Sequence, residues 1–182
     1  MRILPLALLI KDLSIEKRFE LVKEVSSITH AHNRSVISCF YYLEFALQLM
    51  EGKDKFEIYE NLKKTVPEFL NSNKIYSVEL THFDRLINGN IYELNENLIQ
   101  SGGYVIQTLE ASIWCLLTTD TYEDAVLKAV NLGGDTDTTG AVTGGLAGLF
   151  YGYAAIPKSW IMPLLKKEEI DELINKSSFS FI

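Results

Sequence analysis

Apolar side chains recur every three or four positions along most of this chain, which is the spacing of amphipathic α-helices. The segment 14–29, for example, places Ile15, Phe19 and Val22 on one face and begins at Ser14, a residue type that commonly caps helices. No run of alternating residues indicates a strand, and no heptad register is sustained. We therefore predict a compact all-α fold. The predicted helices cover 14–29, 33–50, 54 to a break at Pro67, 77–87, 104–117, 121–133, 138–152 and 166–175.

Length and composition favour one globular domain over residues 1–182, because 47% of the residues are apolar and no linker divides the chain. The net charge of −7 argues against a nucleic-acid or anionic-membrane surface, since phosphate binding depends on Lys and Arg. The expected partner is a small molecule or another protein. Cys39 and Cys115 lie in apolar segments without metal-ligand spacing, so we predict that both are buried, reduced thiols.

Two segments have some features of membrane signals. Residues 1–10 include a short apolar stretch, but Lys11 and Asp12 end it and no small-residue cleavage site follows. Residues 138–157 carry no charge and have the length of a membrane span, although five glycines lower their hydrophobicity. We expect neither a signal peptide nor a membrane span, and a cytoplasmic protein.

The segment 131–148, NLGGDTDTTGAVTGGLAG, is the strongest candidate for chemistry. Asp135 and Asp137 stand among three threonines, just ahead of a predicted helix. One interpretation is helix capping, because carboxylates are favourable at a helix N-terminus. The other is a site for Mg²⁺, Mn²⁺ or Ca²⁺, since capping needs one oxygen whereas a hard cation takes about six or more. The two carboxylates can share one centre only if the backbone between them is non-helical.

A stripe of glycines follows these aspartates. Gly140, Gly144, Gly148 and Gly152 are four residues apart, so they line one side of the predicted helix. Each glycine lowers helix propensity by about 1 kcal/mol relative to alanine. The stripe therefore predicts the close approach of a neighbouring backbone, which would hold the aspartates against another helix.

The motif GGDTDTTGAVTGGLAGLFYG, followed by IPKSW, resembles the C-terminal part of the ADP-ribosylglycohydrolases, an all-α family that includes the dinitrogenase reductase-activating glycohydrolase. Three further stretches agree in order and approximate spacing, namely MRILPLAL at 1–8, THAHNRSVISC at 29–39 and SGGYVIQTLEASIWC at 101–115. The resemblance covers nearly the whole chain. It implies a compact orthogonal helical domain, and it favours metal binding over capping at the aspartates.

The resemblance also implies a metal centre and a reaction. Asp135, Asp137 and Thr138 would be ligands of a binuclear Mg²⁺ or Mn²⁺ centre that binds ribose hydroxyls and a water beside the glycosidic carbon. The implied partner is ADP-ribose or an ADP-ribosylated substrate. The implied activity is hydrolysis of an N- or O-glycosidic bond of an ADP-ribosylated protein or a small ADP-ribose derivative.

Substrate-binding residues are implied in the same way. His30 and His32 would lie by the bound nucleotide, and Gly102, Gly103 and Tyr104 would form a wall against its ribose or adenine. Taken without the family, the two histidines are typical of polar residues at a helix entry and Tyr104 of a core aromatic. His82 matches no motif, and we interpret it as structural.

The chain departs from the family pattern at its start. Met1 and Arg2 match an internal family position, so the chain resembles only the second part and lacks the N-terminal helices. That first part would carry a threonine, paired aspartates and an acidic residue that assists catalysis. Three oxygen ligands do not satisfy two hard cations. Either a complementing chain or a homo-oligomer completes the site, or the chain is an inactive ADP-ribose-binding or interaction module, and apolar surface should be left uncovered.

A second enzyme class stays open at this point. Asp-x-Asp-x-Thr also occurs in haloacid-dehalogenase-type phosphatases, where Asp135 would be the nucleophile and Asp137 the acid. That chemistry places the first aspartate at the end of a parallel strand. A predicted helix and Gly133-Gly134 precede it here, which disfavours the phosphatase interpretation.

Overall fold

Helices make up the regular structure of the residues described, 2–72 and 74–178, in a computed structural model. The described residues contain no strand, which confirms the all-α prediction and removes the parallel strand that a haloacid-dehalogenase-type site requires. The α-helices are α1 (Ala7–Ile10), α2 (Ile15–Ser27), α3 (Asn33–Met50), α4 (Lys55–Asn71), α5 (Lys74–Glu79), α6 (Asp84–Ile87), α7 (Val105–Leu117), α8 (Tyr122–Asn131), α9 (Thr136–Tyr151), α10 (Lys158–Ile161) and α11 (Lys167–Ser178). The 3₁₀ segments are Leu4–Leu6, Leu80–Phe83, Ile91–Glu93, Glu96–Leu98 and Tyr153–Ala155.

Two helices form the centre of the core because they are apolar on nearly all sides. Residues 36–49 of α3 are all buried, and α3 packs against α2, α4, α7 and α9. In α7, Ile106 and residues 108–117 are buried, and this helix packs against α3, α8 and α9. The N-termini of α3, α7 and α9 carry the polar stretches singled out above, so the core fixes their relative positions.

The predicted helix caps are present. The Ser14 side chain accepts a hydrogen bond from the Lys17 backbone, and Thr121 accepts one from Asp124. Asp54 accepts from the backbone N–H groups of Phe56 and Glu57. These bonds satisfy donors that a helix leaves unpaired at its start, which explains why the predicted and observed starts of α2, α4 and α8 agree.

The predicted break at Pro67 and the predicted helix at 77–87 are wrong. α4 continues through Pro67 to Asn71, because Val66 and Leu70 are buried and their packing outweighs the hydrogen bond that proline removes. The helix predicted at 77–87 is instead α5, the 3₁₀ turn Leu80–Phe83 and α6. Phe83 and Leu86 are both fully buried after this change of direction, so core packing outweighs local helix propensity here as well.

The glycine stripe packs on α8, but its neighbours are side chains and not a backbone. A Cβ built on Gly140 would lie 3.0 Å from Val130, and one on Gly144 would lie 3.3 Å from the Tyr122 hydroxyl. Large side chains of α8 therefore fill the groove that the glycines leave, which corrects the expected backbone approach. Gly152 is not part of the stripe, since it ends α9 with a φ of +82°.

Other features of the surface and interior follow the predictions. Cys39 and Cys115 are buried free thiols, and burial raises the pKa of Cys115 to about 12. In the described part of the chain, no helix is both long and apolar enough to cross a bilayer. Some apolar side chains are exposed; Ile28 is 74% exposed and Leu165 is 89% exposed.

Candidate functional site

A cleft of about 720 Å³ lies where the N-terminal segment, the turn between α2 and α3, the loop before α7 and the start of α9 meet. Most of the predicted site residues contribute to its lining. They are His30, His32, Gly103, Tyr104, Asp135 and Thr138. Gly102 and Asp137 do not line this cleft. The fold thus brings three separate sequence stretches to one cavity.

The turn between α8 and α9 sets the position of the aspartates. Gly133 and Gly134 have φ values of +78° and +64°, which L side chains rarely adopt. The Ser101 hydroxyl donates to the Gly133 carbonyl at 2.8 Å, and the Ser101 carbonyl accepts from the Asp135 N–H at 2.8 Å. A Cβ on Gly134 would lie 2.6 Å from that carbonyl oxygen. The diglycine is therefore required for the turn to dock on the loop before α7.

Asp135 occupies the N-cap position of α9, yet its side chain makes no capping hydrogen bond. Its Oδ2 would lie 3.2 Å from a Cβ on Gly103, so the absence of a side chain at Gly103 makes room for this carboxylate. The Thr138 hydroxyl and, after it, the nearby Thr138 backbone N–H favour the ionised form and hold the pKa of Asp135 below its ordinary value. The carboxylate is thus ionised beside the cleft.

Asp137 and Thr138 belong to the first turn of α9, which begins at Thr136 and not at 138 as predicted. The backbone at Asp135 is non-helical, with φ −88° and ψ 71°, whereas Thr136, the residue between the two aspartates, already belongs to α9. Asp137 is exposed and Thr138 is half-buried. Within the described residues, no group of three or more His, Cys, Asp or Glu side chains could hold a metal ion.

The loop before α7 forms another wall of the cleft. Tyr104 is the N-cap residue of α7 and is 43% exposed, so it is not a core aromatic. Its hydroxyl accepts a hydrogen bond from Arg34 at 3.2 Å. Gly102 lies behind the wall, where a Cβ would come within 2.7 Å of the Gln107 side chain.

The two histidines lie on the turn that leads into α3. His32 is the N-cap residue of α3, and its Nδ1 accepts from the Arg34 N–H at 3.2 Å. The helix-entry interpretation is therefore confirmed for His32. Because Nδ1 is the acceptor, the neutral ring carries its proton on Nε2 and can donate it to a ligand. His30 is exposed, and its carbonyl accepts from the Ser26 hydroxyl at 3.0 Å.

Several residues of the cleft were not predicted from the sequence. Arg34 is the clearest case, because it stands two positions after His32 in a stretch that was already singled out. Its cationic side chain beside two histidines was the available signal. The other unpredicted lining residues are Arg2, Ile3, Val25, Ser26, Thr29, Ser35, Cys39, Val105 and Thr108.

Comparison with known proteins identifies the family. The family model for ADP-ribosylglycohydrolase matches residues 1–180, and the chain belongs to this family. The chain is 35% identical over 162 residues to the ADP-ribosylarginine hydrolase Tri1 of Serratia proteamaculans, a match that covers 88% of this chain and 40% of that protein. It is 41% identical over 70 residues to the ADP-ribosyl-[dinitrogen reductase] glycohydrolase of Rhodospirillum rubrum, covering 38% of this chain and 24% of that protein.

A solved structure gives the same assignment. A chain of an "ADP-ribosylglycohydrolase-related protein complex" aligns with a TM-score of 0.75 at 27% identity, and the alignment covers 93% of this chain and 54% of that one. This chain therefore spans about half of that structure and less than half of the curated relatives it matches.

Proposed function

We propose that this chain provides the ADP-ribose-binding cleft of an ADP-ribosyl glycoside hydrolase. The observation that carries the proposal is the convergence of Asp135 and Thr138 with Tyr104 and His32 around one cavity. The substrate would be an ADP-ribosylated protein or a small ADP-ribose derivative, cleaved at an N- or O-glycosidic bond. A relative named as an ADP-ribosylarginine hydrolase favours arginine as the leaving group.

The oxygen donors of this site suit Mg²⁺ or Mn²⁺, but they are too few to complete the coordination of either ion. Asp135 supplies one carboxylate beside the cleft, and Asp137 and Thr138 add a second carboxylate and a hydroxyl. Such oxygen donors suit either ion, but each takes about six ligands. The chain would hold the metal through these three residues, and water, substrate or another polypeptide would supply the remaining donors. A bound ion would supply Lewis acidity and an activated water for hydrolysis.

The other residues of the cleft have roles that do not depend on the ion. The ring of Tyr104 would stack against the adenine or ribose, since its face is accessible at the cleft. The Nε2 of His32 would donate a hydrogen bond to the nucleotide. Gly103 would let the bound ribose approach the Asp135 carboxylate, because no side chain stands between them.

Two forms of this proposal differ in completeness. In the first, residues 1–182 form one domain whose site is completed by a complementing chain or a second copy. The relatives contain much more sequence than this chain matches. In the second, the chain is an inactive module of the same fold that binds ADP-ribose and turns nothing over.

Calorimetric titration with Mn²⁺, in the presence and absence of ADP-ribose, tests the proposal directly. We expect Mn²⁺ to bind the unaltered chain and ADP-ribose to tighten that binding. The double variant Asp135→Ala, Asp137→Ala should bind Mn²⁺ at least about tenfold more weakly, because two of the three donors are removed. Asp12→Ala removes an exposed aspartate that does not line the cleft and is the matched control.

Either of two outcomes contradicts the metal site. These are no Mn²⁺ binding by the unaltered chain, or equal binding by the double variant and the control. Release of ADP-ribose from an ADP-ribosylarginine-bearing protein, measured on the same samples at millimolar Mg²⁺, then tests whether this chain by itself forms a complete site. Binding with turnover supports a hydrolase completed by a second copy, whereas binding without turnover is expected both for the module and for a chain that needs a complementing partner.

A further inference from the structure

Arg34 joins three segments of the chain at the rim of the cleft. Its Nε donates to Glu79 Oε2 at 2.6 Å, and its Nη1 donates to the Tyr104 hydroxyl at 3.2 Å. Its Nη2 lies 2.7 Å from His82 Nε2, which accepts the hydrogen bond when the imidazole is neutral. The guanidinium therefore links the start of α3 with α5, the following 3₁₀ turn and the N-cap of α7.

Local helix energetics do not explain an arginine at this position. Arg34 is the second residue of α3, where the helix dipole disfavours a positive charge. Its ion pair with Glu79 is partly open to solvent, with side-chain exposures of 31% and 18%, and such pairs contribute little to stability. A better explanation of the contacts is that they hold the exposed ring of Tyr104 in place at the cleft.

Tyr104 has little else to fix its side chain. It follows Gly102 and Gly103, which offer no side chains for it to pack against, and its ring is 43% exposed. Among the described residues, Arg34 is the hydrogen-bond partner of its hydroxyl. Without that bond the ring is free to leave the wall of the cleft, at a cost in rotamer entropy when a ligand binds.

We infer that Arg34 is a positioning residue: Glu79 and His82 orient its guanidinium, and the guanidinium holds the Tyr104 ring as the wall against which ADP-ribose binds. The inference rests on the proposed function for its ligand. It depends on the shape of the guanidinium and not on its charge alone, because a lysine cannot present three nitrogens to three partners in one plane. Arg34→Lys therefore separates geometry from charge.

The first test measures the affinity for ADP-ribose by calorimetry for the unaltered chain, Arg34→Lys, Tyr104→Phe and the double variant. We expect each single change to weaken binding by about threefold to tenfold. The double variant should bind no more weakly than the weaker single variant, because both changes remove one contact and coupled residues are not additive. Unchanged affinity for Arg34→Lys, or additive losses in the double variant, overturns the inference.

The second test needs no ligand. The chain is labelled with 3-fluorotyrosine, and the resonance of Tyr104 is assigned by its loss in Tyr104→Phe. We expect this resonance to move in Arg34→Lys and in Glu79→Gln, and to stay in place in Arg85→Lys, whose guanidinium instead bonds the Leu98 carbonyl at 2.8 Å. An unmoved resonance in Arg34→Lys overturns the inference. If the unaltered chain does not bind ADP-ribose, the proposed function is contradicted, and the fluorine resonance then decides by itself whether Arg34 holds the ring.

Discussion

Glu110 places a carboxyl group inside α7, where it is 4% exposed. Burial raises its pKa above the ordinary value of 4.5, and Arg85, whose Nη1 is 3.4 Å from Oε2, offsets this only in part. The folded state therefore holds the proton more tightly than the unfolded chain. Above the ordinary pKa the unfolded chain binds fewer protons, so this residue makes the free energy of unfolding fall as the pH rises.

We predict that Glu110→Gln removes this pH dependence. We subtract the free energy of unfolding of the variant from that of the unaltered chain, so that titrations common to both cancel. This difference should decrease between pH 4.5 and 8. Urea unfolding across that range measures the difference. The same subtraction for Glu96→Gln, which changes an exposed carboxyl, should be flat. A flat difference for Glu110→Gln as well would show that Arg85 compensates the burial fully.

Individual site residues could be predicted where a short stretch of sequence carries the signal. Asp135 stands in a short motif whose residue types and glycines indicate a turn and a site, Thr138 and Tyr104 were implied by the family resemblance, and all three line the cleft. The network of Arg34 could not be predicted, because its partners Glu79 and Tyr104 are 45 and 70 positions away. Only the packing of α5 and α7 brings them together.

Pro67 lies inside α4, where it removes a backbone donor and crowds the preceding turn. We predict that Pro67→Ala stabilises the chain by about 1–3 kcal/mol, which is the proline cost in a helix less the entropy that proline removes from the unfolded chain. Urea unfolding monitored by far-ultraviolet circular dichroism measures the change.

Glu68→Ala is the matched control for Pro67→Ala, since it changes an exposed neighbour in the same helix without touching the backbone ladder. Its effect should stay within about 0.5 kcal/mol. Should Pro67→Ala destabilise the chain instead, the proline would be needed to curve α4 so that Val66 and Leu70 reach the core.

The helices were predictable to the extent that apolar periodicity and caps determine them. The starts of α2, α4 and α8 follow from Ser14, Asp54 and Thr121, which cap locally. The continuation through Pro67 and the 3₁₀ turn at Leu80–Phe83 depend on tertiary burial, which no local rule contains. The same holds for the glycine stripe, because the size of the side chains on α8 decides what fills it.

The two tryptophans report on different helices of the molecule. Trp114 is buried in α7, and its indole N–H donates to the Leu94 carbonyl at 3.0 Å. Trp160 lies in α10, with its ring centroid 6.2 Å from that of Tyr122. The Tyr151 hydroxyl also ties the end of α9 to the Thr119 carbonyl at 2.8 Å. These contacts attach the C-terminal segment to the core, so we expect one cooperative unit.

We therefore predict that Trp114→Phe and Trp160→Phe each unfold in urea with the same midpoint by tryptophan fluorescence as by circular dichroism. Each variant is compared with its own circular dichroism curve, because Trp114→Phe also loses the bond to Leu94 and shifts both probes together. Coincident curves in both variants mean that the segment carrying Trp160 unfolds with α7. An earlier fluorescence transition in Trp114→Phe, where Trp160 is the reporter, would instead make the C-terminal segment a separate unit and contradict a single domain over 1–182.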